Sequence, residues 1–120
     1  MPITEIAFVV YPVADMPRAM AFYADVLGLR TEDRGAERWA EFDVAGQTFA
    51  ITTVEMAHRP GAGNGLALEV DDLQAFRQAL AAQGVPSPQE FESPVCWMAP
   101  IEDPDGNSLL LHQRKPGGCP

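Results

Sequence analysis

One stretch near the start of the chain decides the fold: Val13-Ala-Asp-Met-Pro-Arg-Ala-Met-Ala-Phe-Tyr-Ala-Asp-Val-Leu-Gly-Leu29. Asp15 can cap a helix, because its carboxylate accepts the free backbone N–H groups of the first turn. Pro17 suits that turn, where a missing N–H is no loss, and Gly28 supplies the positive φ that ends a helix. The apolar residues recur at helical spacing and predict one buried face. This face consists of Met16, Ala19, Met20, Tyr23 and Leu27, widened by Phe22 and Val26.

The same pattern returns half a chain later, in Val70-Asp-Asp-Leu-Gln-Ala-Phe-Arg-Gln-Ala-Leu-Ala-Ala-Gln-Gly-Val85. Asp72 takes the capping position of Asp15, and Gly84 takes the terminating position of Gly28. An internal repeat of this kind indicates two copies of one supersecondary unit, neither of which buries its apolar face alone. The chain is therefore expected to pack two related modules together.

Strand patterns surround both helices. Residues 6–13 are apolar on both strand faces, which predicts a strand covered on both sides, and Pro12 indicates an edge or a bulge. Residues 39–44 and 47–53 alternate on either side of a turn at Ala45-Gly46 and predict a β-hairpin. The polar residues 30–38 are expected to hold a short strand and a loop.

The second half repeats this order. Strands are predicted at 65–70, 95–101 and 108–113, with a shorter one at Phe91. Pro100 again indicates an edge or a bulge. Asp103-Pro-Asp-Gly-Asn107 predicts a tight turn before the last strand, because proline sets its first corner and Gly106 or Asn107 accepts positive φ. Its two carboxylates are assigned to the turn and not to acid–base chemistry.

Each module is thus predicted to be βαβββ, in the α+β class. Two such curved mixed sheets side by side would enclose a cleft. The 120 residues suffice for one compact domain. The predicted boundaries are module one at 4–55, a linker rich in turn residues at 56–64, module two at 65–114 and a flexible tail at 115–120.

Charge and cysteine content limit the classes of partner and the compartment. The net charge is −9, from 17 acidic and 8 basic residues, which disfavours nucleic acid and anionic membranes. This balance would suit a cationic ligand, although simple solubility is the favoured explanation. No apolar run or signal-like start is present, so a cytoplasmic location is predicted. Cys96 and Cys119 do not form a disulfide framework, which agrees with a reduced compartment.

The sequence resembles the vicinal oxygen chelate superfamily, which contains glyoxalases, extradiol dioxygenases, fosfomycin-resistance enzymes and bleomycin-binding proteins. The resemblance rests on the 15–29 stretch, on Val70-Asp-Asp-Leu73 and on Asp103-Pro-Asp-Gly-Asn107 before an apolar strand. It covers about residues 4 to 115 and implies the glyoxalase/bleomycin resistance/dihydroxybiphenyl dioxygenase fold. These motifs are caps, turns and core positions, so they specify fold and not function.

The resemblance also implies where a metal would be held. Metal-dependent members carry His or Glu seven residues before each capping Asp, in the first hairpin and four residues after the turn glycine. Here those positions hold Phe8, Ala50 or Thr52, Gly65 and Leu110. None is a strong ligand, whereas an iron or zinc site needs about three His or carboxylate ligands. We therefore expect no divalent metal and no other cofactor.

Strand parity predicts the lining of a metal-free cleft, because alternate residues face opposite sides of a sheet. Parity does not decide between Trp97 and Met98, since Pro100 can hold a bulge. The lining is mostly apolar and aromatic with a few polar groups, as is typical of small-molecule sites. The predicted ligand-binding residues are Phe8, Val10, Trp39, Glu41, Thr52, Glu69, Trp97, Met98, Leu110 and His112.

Structural roles are the alternative for these residues. Phe8 and Leu110 would fill a core if the cleft were collapsed, and tryptophans are equally typical of cores and dimer interfaces. Glu69 at a strand end is compatible with a solvated carboxylate, and His112 with a structural histidine.

Two functions remain open at this stage. The first is a homodimer that binds or sequesters a small hydrophobic or aromatic molecule, cationic or neutral, without metal, as bleomycin-binding proteins do. The second is a glyoxalase- or dioxygenase-type enzyme with a non-standard metal site, or with His112 and either Glu41 or Glu69 as acid–base groups. A structural protein with a collapsed cleft is a third, weaker alternative.

Overall fold

The computed structural model describes residues 1–55 and 58–117, which form two compact units. The first unit comprises Met1–Gly63 with Pro104–Asn107, and the second comprises Asn64–Asp103 with the chain from Ser108 onward. Linker residues 56 and 57 and the end of the predicted tail, including Cys119, lie outside the described residues. No helix of the described chain is both long and apolar enough to cross a membrane.

The first unit contains a three-stranded mixed sheet. Its strands are β1 (Val9–Pro12), β2 (Trp39–Val44) and β3 (Gln47–Thr52), in the order β1-β3-β2. β2 and β3 form the predicted antiparallel hairpin, and β1 runs parallel to β3 at the edge of the sheet. The edge position predicted from Pro12 is confirmed, because an edge strand tolerates a missing N–H.

Two predicted strands of this unit are shorter than the sequence pattern indicates. The first begins at Val9 and not at Ile6, because β1 pairs only with β3 and that pairing starts at Val9 opposite Phe49. The strand expected within residues 30–38 reduces to a single bridge between Arg30 and Asp43. Residue composition alone does not make a strand where no partner backbone is in register.

The helix of the first unit begins as predicted and changes its winding midway. α1 (Met16–Met20) is capped by the Asp15 carboxylate, which accepts from the Arg18 N–H at 3.0 Å. A π-helical segment follows at Ala21–Val26. Within this segment the consecutive aromatic residues Phe22 and Tyr23 are both buried, and their rings meet edge-on at 5.1 Å. Gly28 then adopts φ +75°, as the sequence predicts.

The core of the first unit lies between this helix and the sheet. Tyr23 is fully buried, and its ring lies 5.9 Å from Phe42 and 5.1 Å from Phe49. Tyr11 meets Phe49 edge-on at 5.4 Å. Such tilted and edge-on arrangements are the favourable ones for aromatic pairs. The apolar stripe read from the 13–29 stretch is therefore the helix side of this core.

The second unit is a four-stranded mixed sheet with one helix. β4 (Leu66–Glu69) runs parallel to β7 (Ser108–Arg114), β6 (Cys96–Glu102) is antiparallel to β7, and β5 is the two-residue strand Phe91–Glu92, in the order β4-β7-β6-β5. α2 (Leu73–Ala82) repeats the first cap, with the Asp72 carboxylate accepting from the Ala75 N–H at 3.0 Å. The core holds Leu73, Leu80, Leu109 and Leu111.

Pro100 sits within β6 without a bulge. Its register opposite Leu110 is continuous with that of its neighbours. β5 pairs only as far as Met98, so β6 is locally an edge at Pro100. The edge alternative of the sequence prediction is therefore the right one.

The turn before β7 packs into the first unit rather than the second. Asn107 is fully buried, donates to the Pro12 carbonyl at 2.8 Å and accepts from the Gly63 N–H at 2.7 Å. Asp105 accepts from the Ala14 N–H at 3.2 Å and pairs with Arg18 at 2.9 Å. We call Gly61, Gly63, Asp105 and Asn107 the linker–turn cluster. The Asp105 carboxylate therefore has a structural role in this cluster.

Candidate functional site

The open face of the first sheet, away from its helix, carries most of the predicted residues of this unit. Val10, Ala50 and Glu41 lie in one row across the three strands, and Thr52 lies beside Trp39. Ala40, Phe42 and Phe49 point to the opposite, helix-covered side and are buried. Strand parity therefore sorted the faces of this sheet correctly, because the hairpin register is regular.

An aromatic pair with a carboxylate stands on this face. The Phe8 and Trp39 rings meet edge-on at 5.2 Å, and the indole N–H of Trp39 donates to Glu41 Oε2 at 2.9 Å. Ala50, on the central strand, is fully buried. Phe8 itself is 42% exposed, so it is not a core residue. We call Phe8, Trp39 and Glu41 the aromatic–acid cluster.

A cavity of about 440 Å³ lies beside Glu41, and the sequence reasoning missed it. The loop before β2 folds over the strand, where the Asp33 carboxylate accepts from the Glu41 N–H at 2.8 Å and Thr31 donates to the Glu41 carbonyl at 2.7 Å. Residues 30–38 show no periodicity, so no sequence signal places this loop. The cavity is lined by Arg30, Thr31, Glu32, Asp33, Glu41, Phe42, Asp43, Gly46 and Thr48.

The open face of the second sheet brings together a second group of predicted residues. Glu69, His112 and Met98 lie in one row across β4, β7 and β6. Ala67, Leu110 and Pro100 form the adjacent row. The result is a half-exposed apolar surface with one histidine and one carboxylate.

Trp97 does not belong to this face, which corrects the sequence prediction. The regular register puts Trp97 opposite Gln113, on the side of the sheet that carries α2, whereas Met98 lies opposite His112. Lys115 Nζ lies 5.0 Å from the centre of the Trp97 ring, a cation–π geometry. The absence of a bulge at Pro100 decides the parity in favour of Met98.

His112 and Glu69 form a close pair. His112 Nδ1 lies 2.6 Å from Glu69 Oε1, and Glu69 Oε2 accepts from the Arg114 N–H at 2.8 Å. Burial raises the pKa of Glu69, but the hydrogen bonds from the Arg114 N–H and the His112 ring together lower it by more. The pKa of Glu69 therefore lies below its ordinary value. The carboxylate is therefore ionised at neutral pH and acts as an acceptor towards the ring.

The positions where the family resemblance implies metal ligands hold groups that do not fit a metal. Phe8 and Leu110 have no donor atom, and Gly65 precedes β4 with φ +97°. Ala50 has no donor either, and the Thr52 hydroxyl donates to the Arg38 carbonyl at 2.6 Å. Across residues 1–55 and 58–117, no three His, Cys, Asp or Glu side chains come together as a metal would require.

Two further residues, His58 and Cys96, have side chains that could carry chemistry. His58 is exposed in the linker. Cys96 is a free, buried thiol whose Sγ lies 3.2 Å from Ser93 Oγ. Neither adds to the groups on the two open faces.

Comparison with known proteins places the chain in a family. The model of the Glyoxalase/Bleomycin resistance protein/Dioxygenase superfamily matches residues 5–111. The chain belongs to this superfamily. The vicinal oxygen chelate resemblance and the α+β fold of two related modules are thereby confirmed. Among curated proteins, none matches the sequence significantly.

Several solved structures of this superfamily share the fold. An antibiotic-binding protein, TnmS3 from Streptomyces sp. CB03234, is 27% identical with a TM-score of 0.82, over 96% of this chain and 99% of that one. A glyoxalase/bleomycin resistance protein from the same organism is 26% identical, with a TM-score of 0.77 over 91% and 100%. A lactoylglutathione lyase from Agrobacterium tumefaciens is 21% identical, with a TM-score of 0.76 over 93% and 95%, and shows the fold alone.

Proposed function

We propose that this protein binds a small hydrophobic or aromatic molecule, including aromatic cations, without a metal ion. One observation carries the proposal: the aromatic–acid cluster stands half-exposed on the open face of the first sheet. A core aromatic would be buried, whereas Phe8 is 42% exposed, and the exposed Glu41 carboxylate is held against the Trp39 indole. The cluster offers a ligand an aromatic surface and a fixed negative charge within a few ångströms of each other.

Physical chemistry indicates what such a cluster would favour. A planar ring can stack on or meet the Trp39 indole edge-on, which contributes about 0.5–1.5 kcal/mol beyond area burial. A cation over the indole gains about 0.5–2 kcal/mol more. The Glu41 carboxylate beside the indole and the net charge of −9 both favour a positive ligand.

The comparisons support small-molecule binding, and the residues present support a site without metal. TnmS3, the antibiotic-binding protein, resembles this chain over nearly its whole length. The described donor groups do not form a metal-ligand set. Both observations favour a binding protein in the manner of the bleomycin-binding members of the superfamily, and we propose that no cofactor is needed.

The first test uses acriflavine, a planar aromatic cation, and bleomycin as probes, titrated by calorimetry in the presence of EDTA. Trp39→Phe is expected to weaken binding about tenfold, because the larger indole and its polar contact to Glu41 are lost. Glu41→Gln is expected to lower the affinity for the cationic probe and to leave the affinity for a neutral ring of the same shape unchanged.

Trp97→Phe is the matched control, since Trp97 lies on the helix side of the other sheet. The affinity of this variant for both probes should stay within about twofold of that of the native protein. Equal losses in Trp39→Phe and Trp97→Phe would contradict the site. Binding or thermal stabilisation that appears only with added Fe(II), Mn(II) or Ni(II) would contradict the metal-free mechanism.

We also propose that the protein is a homodimer through its N-terminal segment, and that it acts in the cytoplasm. Ile3 and Ile6 are 94% and 80% exposed, and they lead into the edge strand β1, whose outer side is unpaired within the described chain. An apolar segment next to a free strand edge is a typical pairing site for a second copy.

Light scattering after size-exclusion chromatography tests the assembly. The native chain is expected to elute as a dimer, and Ile3→Ser with Ile6→Ser as a monomer, because the apolar contact is lost. Val54→Ser, which removes an exposed apolar side chain elsewhere, should leave the mass unchanged. A monomeric native protein would contradict the proposal.

An enzyme of glyoxalase or dioxygenase type is the second candidate. The His112–Glu69 pair favours it, because a carboxylate-bound imidazole is the usual form of a general base. In this candidate the carboxylate partner of His112 is Glu69 and not Glu41, the alternative that the sequence left open. Stoichiometric metal in the purified protein would favour this candidate over the binding protein.

A further inference from the structure

We propose that the His112–Glu69 pair forms a separate binding site, on the second sheet, for a phenolic or enolic hydroxyl group, which gives its proton to His112 Nε2. All of the residues of this site lie in the second unit. It does not depend on the aromatic–acid cluster, so either proposal can fail without the other.

The hydrogen bond to Glu69 fixes the tautomer of His112. An ionised carboxylate is only an acceptor, so Nδ1 must carry the hydrogen across the 2.6 Å contact. In the neutral ring Nε2 is then the bare nitrogen, an acceptor and a base. This is the arrangement by which a carboxylate orients a catalytic imidazole.

The carboxylate is itself held in place. Glu69 Oε2 accepts from the Arg114 N–H at 2.8 Å, and the Arg114 guanidinium lies 3.8 Å from Oε1. These two contacts leave Glu69 ionised and turned towards His112. An imidazolium formed at His112 would therefore face a fixed negative charge, which it would share with the Arg114 guanidinium at Oε1.

His112 lies on a largely apolar face of the second sheet. The His112 side chain is 15% exposed, and within residues 1–55 and 58–117 Nε2 has no hydrogen-bond partner. Its strand neighbours on this face are Met98 across β6 and Leu110 along β7. Phe91, 50% exposed, lies opposite Met98 on β5. A ring resting on Met98, Leu110 and Phe91 would reach Nε2 with a substituent.

The chemistry of the pair selects the substituent. A ligand carboxylate is already ionised at neutral pH and has no proton to give to Nε2, and an ammonium group would be repelled once the ring is protonated. A phenol or enol is a stronger donor, with a pKa of about 10 for an unsubstituted phenol ring. When its proton moves, the O–H bond breaks, the electron pair stays on oxygen, and the proton bonds to Nε2. The resulting oxyanion pairs with the imidazolium, so no further reactant is needed.

The test uses 4-nitrophenol, whose phenolate absorbs visible light, and 4-nitroanisole, which has the same ring without the hydroxyl. Adding protein slightly below neutral pH is expected to increase the phenolate band, as the apparent pKa of the bound phenol falls by about one unit. The native protein should bind 4-nitrophenol about fivefold to tenfold more tightly than 4-nitroanisole.

Two variants separate the pair from the apolar surface. His112→Gln should lose both the band and the preference for the phenol, yet bind 4-nitroanisole as before. Glu69→Gln should keep a folded chain with a weaker band, because the amide no longer enforces the tautomer. Circular dichroism checks that both variants are folded.

Each contrary result has one meaning. A phenolate band that persists in His112→Gln overturns the proton acceptor, and so does equal binding of the two probes by the native protein. Failure of both probes to bind at millimolar concentration overturns the site itself. The acriflavine titration tests the aromatic–acid cluster independently.

Discussion

Asn107→Ala is expected to lower the free energy of unfolding by about 3 kcal/mol. The Asn107 side chain is fully buried and bonds two backbone groups, the Pro12 carbonyl and the Gly63 N–H. Alanine would leave both without this partner, and a buried polar group in that state costs about 1–3 kcal/mol. The truncated side chain would also leave a small cavity.

Urea unfolding followed by tryptophan fluorescence measures this loss. Asn64→Ala is the matched control, because Asn64 is an exposed residue of the linker, and its effect should stay within about 0.5 kcal/mol. If the two variants unfold at the same urea concentration, Asn107 does not tie the turn to β1 in solution.

Gly61→Ala is expected to cost about 3 to 4 kcal/mol, for two separate reasons. Gly61 has φ +89°, where any side chain costs about 1–2 kcal/mol. A Cβ at this position would also come closer than 3.0 Å to the Asp105 carbonyl oxygen. Because that oxygen belongs to the backbone, it cannot turn away as a flexible side chain would.

Gly35→Ala separates these two costs. Gly35 has the same φ of +89°, but nothing lies within 4 Å of a Cβ added there. It should lose only the conformational part, about 1 kcal/mol. The difference between the two variants in thermal or urea unfolding measures the close approach of linker and turn. Equal losses would mean that the linker does not pack against Asp105.

Both predictions concern segments that the sequence identifies only as a turn and a linker. The Asp-Pro-Asp-Gly-Asn turn was predicted from its residues alone, and its role in a turn is confirmed. Its packing against β1 and the linker was not predicted, because Asn107 and Pro12 are remote in sequence. No local pattern records which buried carbonyl an asparagine will satisfy.

The two helix caps illustrate what local chemistry can predict. Asp15 and Asp72 each accept from the N–H three residues on, at the same 3.0 Å. The interaction spans one turn, so the residues that make it are all visible in one short window. The π-helical winding at Ala21–Val26 follows directly on α1 and was not predicted, because the apolar residues of this stretch recur at the spacing of an ordinary α-helix.

The candidate binding surfaces also combine features set by local contacts with features set by contacts between distant parts of the chain. Hairpin parity placed Trp39 and Glu41 on one face, since the register of a short hairpin is set locally. The choice between Trp97 and Met98 needed the long-range register of β6 against β7. The partner of His112 was left between Glu41 and Glu69 for the same reason, because β4 and β7 are far apart in the chain.

Local patterns were enough to predict the two capped helices, the hairpin, the turn before the last strand and the superfamily, since short-range contacts and a repeated pattern encode all of them. The length of β1, the face of Trp97, the pairing of His112 with Glu69 and the burial of Asn107 became evident from the three-dimensional fold. Each of these depends on which distant backbone or side chain supplies the partner, and one sequence does not state that.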